Sequence, residues 1–237
     1  STLEIKEKSN LQEKIVRLYL RLNGFITDGF IAHSDIHGDN LAETDVIGVR
    51  FPFHTESERE VAVCEKLQIQ DGSIHVFVGE VKSHGQALQF NDAIRSNIEV
   101  TKKVFKRIGI IPAEQVDCQA ESIHGLFQHQ NFTNSTPSRL SIDGTNYVVS
   151  AIMFKPETNN QNRTQSYFIT GTDIFSYIWS CFRPTQPRCG CTTTYDYSAW
   201  GEYEELVNYF KDPSRETHGD MRDLYNYVED ARARAEN

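Results

Sequence analysis

The sequence predicts an α/β (α+β) fold in which helices flank a mixed central sheet. Three observations carry that expectation. An amphipathic segment opens the chain, three β-type segments follow it, and a long helical stretch then leads into a fourth, apolar strand. Helix, strand, strand, strand, helix, strand is the order of a layered sheet with helices on its faces.

Taken in order, SNLQEKIVRLYLRLN (9–23) carries Leu11, Ile15, Leu18 and Leu22 near helical spacing. Ser9 or Asn10 is the expected cap and Gly24 the expected stop. Residues 25–33 alternate loosely as a strand, and LAETDVIGVRFPF (41–53) is a second. HTESERE (54–60) reads as an exposed charged turn or insertion, and 61–69 fits a strand or a short helix equally. Asp71-Gly72 marks a turn ahead of the strand IHVFVGEVK (74–82). Helical periodicity returns over 86–127, broken near Gly109 and Pro112, and TNYVVSAIMF (145–154) is an apolar strand. SYFITGTDIFSYIWSCF (166–182) predicts a strand running into a helix capped around Thr172. After the loop FRPTQPRCGCTTTYDY come two helical segments, WGEYEELVNYF and MRDLYNYVEDARARAEN. The expected organisation is a core over 1–182, with a loop and helical extension over 183–237 packed on it.

Composition narrows the function classes. With 237 residues and 38% hydrophobic content the chain can bury a sizeable core. A mean hydropathy of −0.51 and the lack of a long apolar run exclude an integral helical membrane protein. The opening STLEIKEKSN is charged and lacks an apolar h-region, so no secretion signal is expected in it. Five scattered cysteines (Cys64, Cys118, Cys181, Cys189, Cys191) fit reduced thiols and a cytoplasmic setting. A net charge of −9 argues against coating nucleic acid non-specifically. It leaves room for an enzyme that meets nucleic acid through a local basic patch, and metal-binding carboxylates would add to such a surplus.

The chemistry concentrates at the end of the 74–82 strand. The strand period of two places Ile74, Val76, Val78, Glu80 and Lys82 on one face, apolar at first and charged at the end. The same period aligns Glu43, Asp45, Ile47 and Val49 on the preceding strand. If the two strands are neighbours, Asp45 lies beside Glu80. Two adjoining carboxylates call for a cation, and oxygen ligands at an open site suit Mg²⁺ or Mn²⁺. Such an ion polarises a phosphodiester and lowers the pKa of water, and Lys82 could orient that water or stabilise developing charge.

Asp45 followed by Glu80-Val81-Lys82, behind a first helix bearing Glu13, resembles the PD-(D/E)XK nuclease superfamily, the restriction-endonuclease-like fold. The resemblance spans residues 10–155 and includes the order of elements. It implies an αβββαβ core with C-terminal helical additions. It also implies Asp45 and Glu80 as metal ligands, Lys82 as the catalytic lysine, Glu13 as an accessory acid and Gln86 as a polar residue near the site. Thr44 stands where the motif has Pro, and the interval from Asp45 to Glu80 is long, so an excursion over 54–73 is expected. Glu-x-Lys occurs twice among 19 Glu and 10 Lys; Glu4-Ile5-Lys6 lacks a strand and an upstream Asp, so context rather than the tripeptide carries the signal. Asn10-x-x-Glu13 also fits a capping box, which would give Glu13 a purely structural role.

Other features compete. HSDIHGDN (33–40) resembles the opening block of calcineurin-like metallophosphoesterases, but the only GDxxD block, GDMRD, comes far downstream and no GNH[DE] block follows. Cys181, Cys189 and Cys191, with His218, have no standard zinc spacing. Lys102, Lys103, Lys106 and Arg107 form one side of a helix, either a solvated face or phosphate contacts. The expected function is a cytoplasmic, Mg²⁺- or Mn²⁺-dependent nuclease acting on DNA, as a homodimer or beside a partner subunit and away from membranes. A catalytically silent nucleic-acid or protein interaction module is the alternative, with a metallophosphoesterase behind it.

Overall fold

The opening helix sets the first layer. In the computed structural model, which describes residues 2–33, 40–56, 59–128, 135–161, 166–185 and 197–237, α1 runs Ile5–Leu22. It starts before the expected Ser9 or Asn10 cap, because Glu7 Oε2 accepts the Glu4 N–H at 2.8 Å and closes the first turn earlier. Glu13 is therefore mid-helix, and the capping-box role is excluded. Ile15, Val16 and Tyr19 bury the apolar stripe, and Gly24, at a φ of +87°, reverses the chain as expected of a C-terminal glycine.

The sheet follows. Strands β1 (Ile26–His33), β2 (Asn40–Arg50) and β3 (Ile74–Val81) form an antiparallel meander. The 61–69 stretch is neither strand nor α-helix but holds a short 3₁₀ turn, Glu65–Leu67. Four helices then cross one face: α2 (Asp92–Ser96), α3 (Ile98–Ile108), α4 (Ala113–Cys118) and α5 (Ala120–Gly125). β4 (Ser138–Ser141) and β5 (Tyr147–Lys155) return to the sheet, β5 parallel to β3 and β4 antiparallel to β5. The order is β1-β2-β3-β5-β4, and β6 (Ile169–Thr170) adds parallel to the end of β5. The helix after β6, α6 (Gly171–Phe182), is capped by Thr170 rather than Thr172, since Thr170 Oγ1 accepts the Asp173 N–H at 3.0 Å. A second 3₁₀ segment (Tyr197–Tyr203), α7 (Glu204–Lys211) and α8 (Met221–Ala235) complete the chain.

Two apolar layers result, one on each face of the sheet. Phe77 and Phe154 face α1, α6, α7 and α8, while Val76, Val78 and Val149 face α2 to α5. β3 is thus buried on both faces, which is why its sequence is a continuous apolar run rather than a clean alternation. Phe210 and Leu224 belong to the α1 layer, so α7 and α8 share the core's apolar interior. No helix among the described residues is long and apolar enough to cross a membrane.

Candidate active site

The charged end of β3 lies against β2. Val46 pairs with Gly79 in the antiparallel ladder, which puts Asp45 and Glu80 at the next step. The face parity expected for β2 does not survive there. Between the Asp28–Ile47 and Phe30–Thr44 pairs, β2 contributes two residues against one from β1, which is a β-bulge at Asp45-Val46. Gly29 is the opposing residue, and a Cβ there would stand 2.9 Å from the Asp45 carbonyl. The bulge re-aims Asp45, whose Oδ2 accepts the Val81 N–H at 2.8 Å and so closes the end of the ladder.

Glu80 is 5% exposed, near the limit for an ionisable group. Its Oε1 accepts the Asn91 N–H at 2.8 Å, at the start of α2. Lys82 Nζ is 2.8 Å from Oε2, an ion pair formed off the line of a hydrogen bond, and buried Oε2 has no hydrogen-bond partner. Asn91 also donates through Nδ2 to the Glu43 carbonyl at 3.1 Å, tying α2 to β2 across the site. Sequence reasoning missed Asn91; its place before a short helical run marks it as an N-cap, and its Oδ1 does accept the Ile94 N–H.

The electrostatics match this under-compensation. Burial, opposed by the Val81 N–H and reinforced by the charges of Glu80 and Glu43, pushes the Asp45 carboxyl up to about 6. On α1, burial and then the charge of Asp45 push Glu13 up to about 7, with Arg17 opposing. Glu13 therefore belongs to the same electrostatic cluster as Asp45, Glu43 and Glu80, where Lys82 is the near cation. Asp45 and Glu13 thus bind protons more tightly than free carboxyls do.

The other expected residues fall differently. Gln86 is engaged in the turn after β3, its Oε1 accepting the Ser83 N–H at 2.7 Å. Lys102 reaches Glu99 at 2.9 Å and Lys106 reaches Asp117 at 2.9 Å, while Lys103 and Arg107 share the same helix. These pairs are exposed and weak enough to be exchanged for a phosphate. Glu4-Ile5-Lys6 sits at the start of a helix, as its lack of strand context implied. HSDIHGDN lies almost entirely outside the described residues, as do Cys189 and Cys191. Cys181 Sγ takes Arg59 Nη1 at 3.6 Å, and the His218 ring lies 2.6 Å from the Gly219 carbonyl oxygen through Nδ1.

No group of three or more His, Cys, Asp or Glu side chains is poised around a common metal position among the described residues. Asp45 and Glu80 are instead two neighbouring carboxylates at the end of the β2–β3 ladder. That fits Mg²⁺, which keeps several waters and takes one or two carboxylates, and Glu80 Oε2, which makes no hydrogen bond and meets the Lys82 ammonium, could serve as a ligand atom. No protein-family model, curated protein or solved structure matches the chain, so the local chemistry carries the functional argument.

Proposed function

We propose that the chain is a metal-dependent nuclease of the restriction-endonuclease-like, PD-(D/E)XK class that hydrolyses phosphodiester bonds in DNA. The observation that carries the reading is a buried Glu80 whose Oε2 meets the Lys82 ammonium without a hydrogen bond, set opposite Asp45 in the ladder. The path α1, β1, β2, β3, helices, β5, with β5 parallel to β3, supports it as well, because it follows the αβββαβ order.

Asp45 and Glu80 would hold Mg²⁺ or Mn²⁺, which when bound neutralises the carboxylates and activates the phosphodiester toward water. The rest follows from the chain's own groups. Asn91 and Val81 fix the two carboxylates through backbone N–H donors, so the ligands are aimed before any ion arrives. Lys82 is tied to Glu80 only by charge, and its ammonium would be available to orient water or meet negative charge developing on the phosphate were Glu80 to hold a metal ion. Glu13, with its raised proton affinity, can exchange a proton near neutral pH.

The test is cleavage of plasmid and single-stranded DNA with Mg²⁺ or Mn²⁺, comparing wild type with Glu80→Ala and Lys82→Ala. Lys82→Ala should slow cleavage by about 10²- to 10⁴-fold, and Glu80→Ala should abolish it. A folded wild type that cuts neither DNA nor RNA would favour the second reading, an interaction module. The engagement of Lys102 and Lys106 by the chain's own acids is the observation behind that alternative.

A further inference from the structure

We propose that Lys155 is a second phosphate-binding position beside Lys82, taking a backbone phosphate of a nucleic acid; the proposal rests on the nuclease reading. Lys155 is the last residue of β5. Val81 pairs with Phe154, and the Lys82 N–H donates to the Phe154 carbonyl at 2.8 Å, so Lys82 and Lys155 occupy the next step of the parallel ladder. Glu80 pairs with Met153, and the period of two then puts Glu80, Lys82 and Lys155 on one face. The carboxyl ends of adjacent parallel strands are where open α/β sheets receive ligands. On its other side Lys155 pairs with Thr170, so the backbone carrying it is held by both neighbours.

The side chain itself points to an anion. Lys155 is 6% exposed, and lysine is seldom so buried without a carboxylate. Among the described residues its ammonium makes no ion pair or hydrogen bond, and it lies over the Phe168 ring, with the centroid 5.7 Å away. Glu157, the nearest acid along the chain, is committed elsewhere: its Oε1 accepts from Gln12 Nε2 at 3.0 Å and from the His84 N–H at 3.2 Å. The ring covers one side of the ammonium, whose nitrogen is not fully buried and so remains reachable by an anion. Like charges side by side on neighbouring strands also repel. Glu80 offsets Lys82, whereas nothing described offsets Lys155. A phosphodiester between the two strand ends would satisfy Lys155, and Lys82 as well once a divalent ion has taken Glu80.

The experiment is fluorescence anisotropy with labelled duplex and single-stranded oligonucleotides, in Ca²⁺ in place of Mg²⁺ to limit turnover, across a salt series. Lys155→Met keeps the apolar stem and removes the charge; Lys155→Gln serves should the first not fold. Loss of one phosphate contact should weaken binding by about three- to tenfold and reduce the salt slope by about 0.9 on duplex or 0.7 on single strand. Lys155→Arg should restore both quantities, and the thermal midpoint of Lys155→Met should be unchanged or raised. Unaltered affinity and slope in a folded Lys155→Met would overturn the proposal alone and leave the nuclease reading standing. A wild type that binds neither oligonucleotide would overturn both.

Discussion

The two ends of the β3–β5 pair bury polar groups by opposite rules. Towards the amino end, Arg139 donates from Nε to Ser150 Oγ at 2.8 Å, from Nη1 to the Gln68 carbonyl at 2.6 Å and from Nη2 to the Leu67 carbonyl at 3.0 Å. His75 beneath it is kept neutral, pushed down to about 4 by burial and by the charges of Arg139 and Arg50, and its Nε2 accepts the Gln70 N–H at 2.8 Å. At the carboxyl end, Glu80 Oε2 lacks a hydrogen bond, burial and then the Glu80 and Glu43 charges raise Asp45, and burial and then the Asp45 charge raise Glu13. The first arrangement satisfies the Arg139 guanidinium on hydroxyl and carbonyl oxygens and holds the fold together, although the buried His75 Nδ1 lacks a hydrogen-bond partner. The second gathers carboxylates of raised proton affinity around one lysine, the kind of perturbation that clusters at functional sites.

Substitution at the two ends should separate activity from stability. Glu80→Gln, which keeps an oxygen for the Asn91 N–H, is expected to lower cleavage by more than about 10³-fold with little change in the thermal midpoint. Arg139→Ala should do the reverse. It orphans two backbone carbonyls and Ser150, and should cost about 2–4 kcal/mol in urea unfolding while activity per folded molecule stays intact. Comparable stability losses in both variants would erase the distinction between the ends.

Metal should act at the carboxyl end alone and in one pH range. At about 100 times its dissociation constant, Mg²⁺ should add about 2.7 kcal/mol to unfolding stability. The gain should be present at pH 8 and fade toward pH 5, where Asp45 and Glu13 are protonated. A gain that is equal at both pH values, or that persists in Asp45→Asn, would place the ion elsewhere.

The smallest expected effect concerns the metal-free protein. Asp45 and Glu13 bind protons more tightly folded than unfolded, where their values are 3.8 and 4.5. Their contribution is therefore complete in acid and is lost as pH rises through about 6 and 7. His75 has the opposite sign: its contribution is complete above 6.5 and is lost as pH falls toward about 4. Glu13→Gln should thus stabilise the metal-free protein at pH 8 by about 1 kcal/mol, after allowance for solvent screening, and do nothing at pH 4. Urea unfolding at the two pH values measures this, and a Glu13→Gln that destabilises at pH 8 would contradict the electrostatic cluster.

Much of this was legible along the chain. The segments that became α1, β1, β2, β3 and β5 carry their period and their turn residues locally, and Glu80 and Lys82 share a face because strands have a period of two. β4 was not legible, because SRLS is too short to show a pattern and becomes a strand only by pairing with β5. The Glu13 ambiguity was likewise open in the sequence, since Asn10-x-x-Glu13 looks the same whether the helix begins there or earlier.

By itself, then, the sequence determined the opening helix and the strands β1, β2, β3 and β5, and that an acid and a lysine stand at the end of the third strand behind an upstream Asp. Only the tertiary structure decided the bulge that turns Asp45 toward Val81, the Asn91 anchor on Glu80, the approach of Glu13, and the seat of Lys155 one step from Lys82. The physical reason is that register and burial are set between segments distant in the chain. A carboxylate's proton affinity and an ammonium's lack of a partner follow from what the fold packs around them.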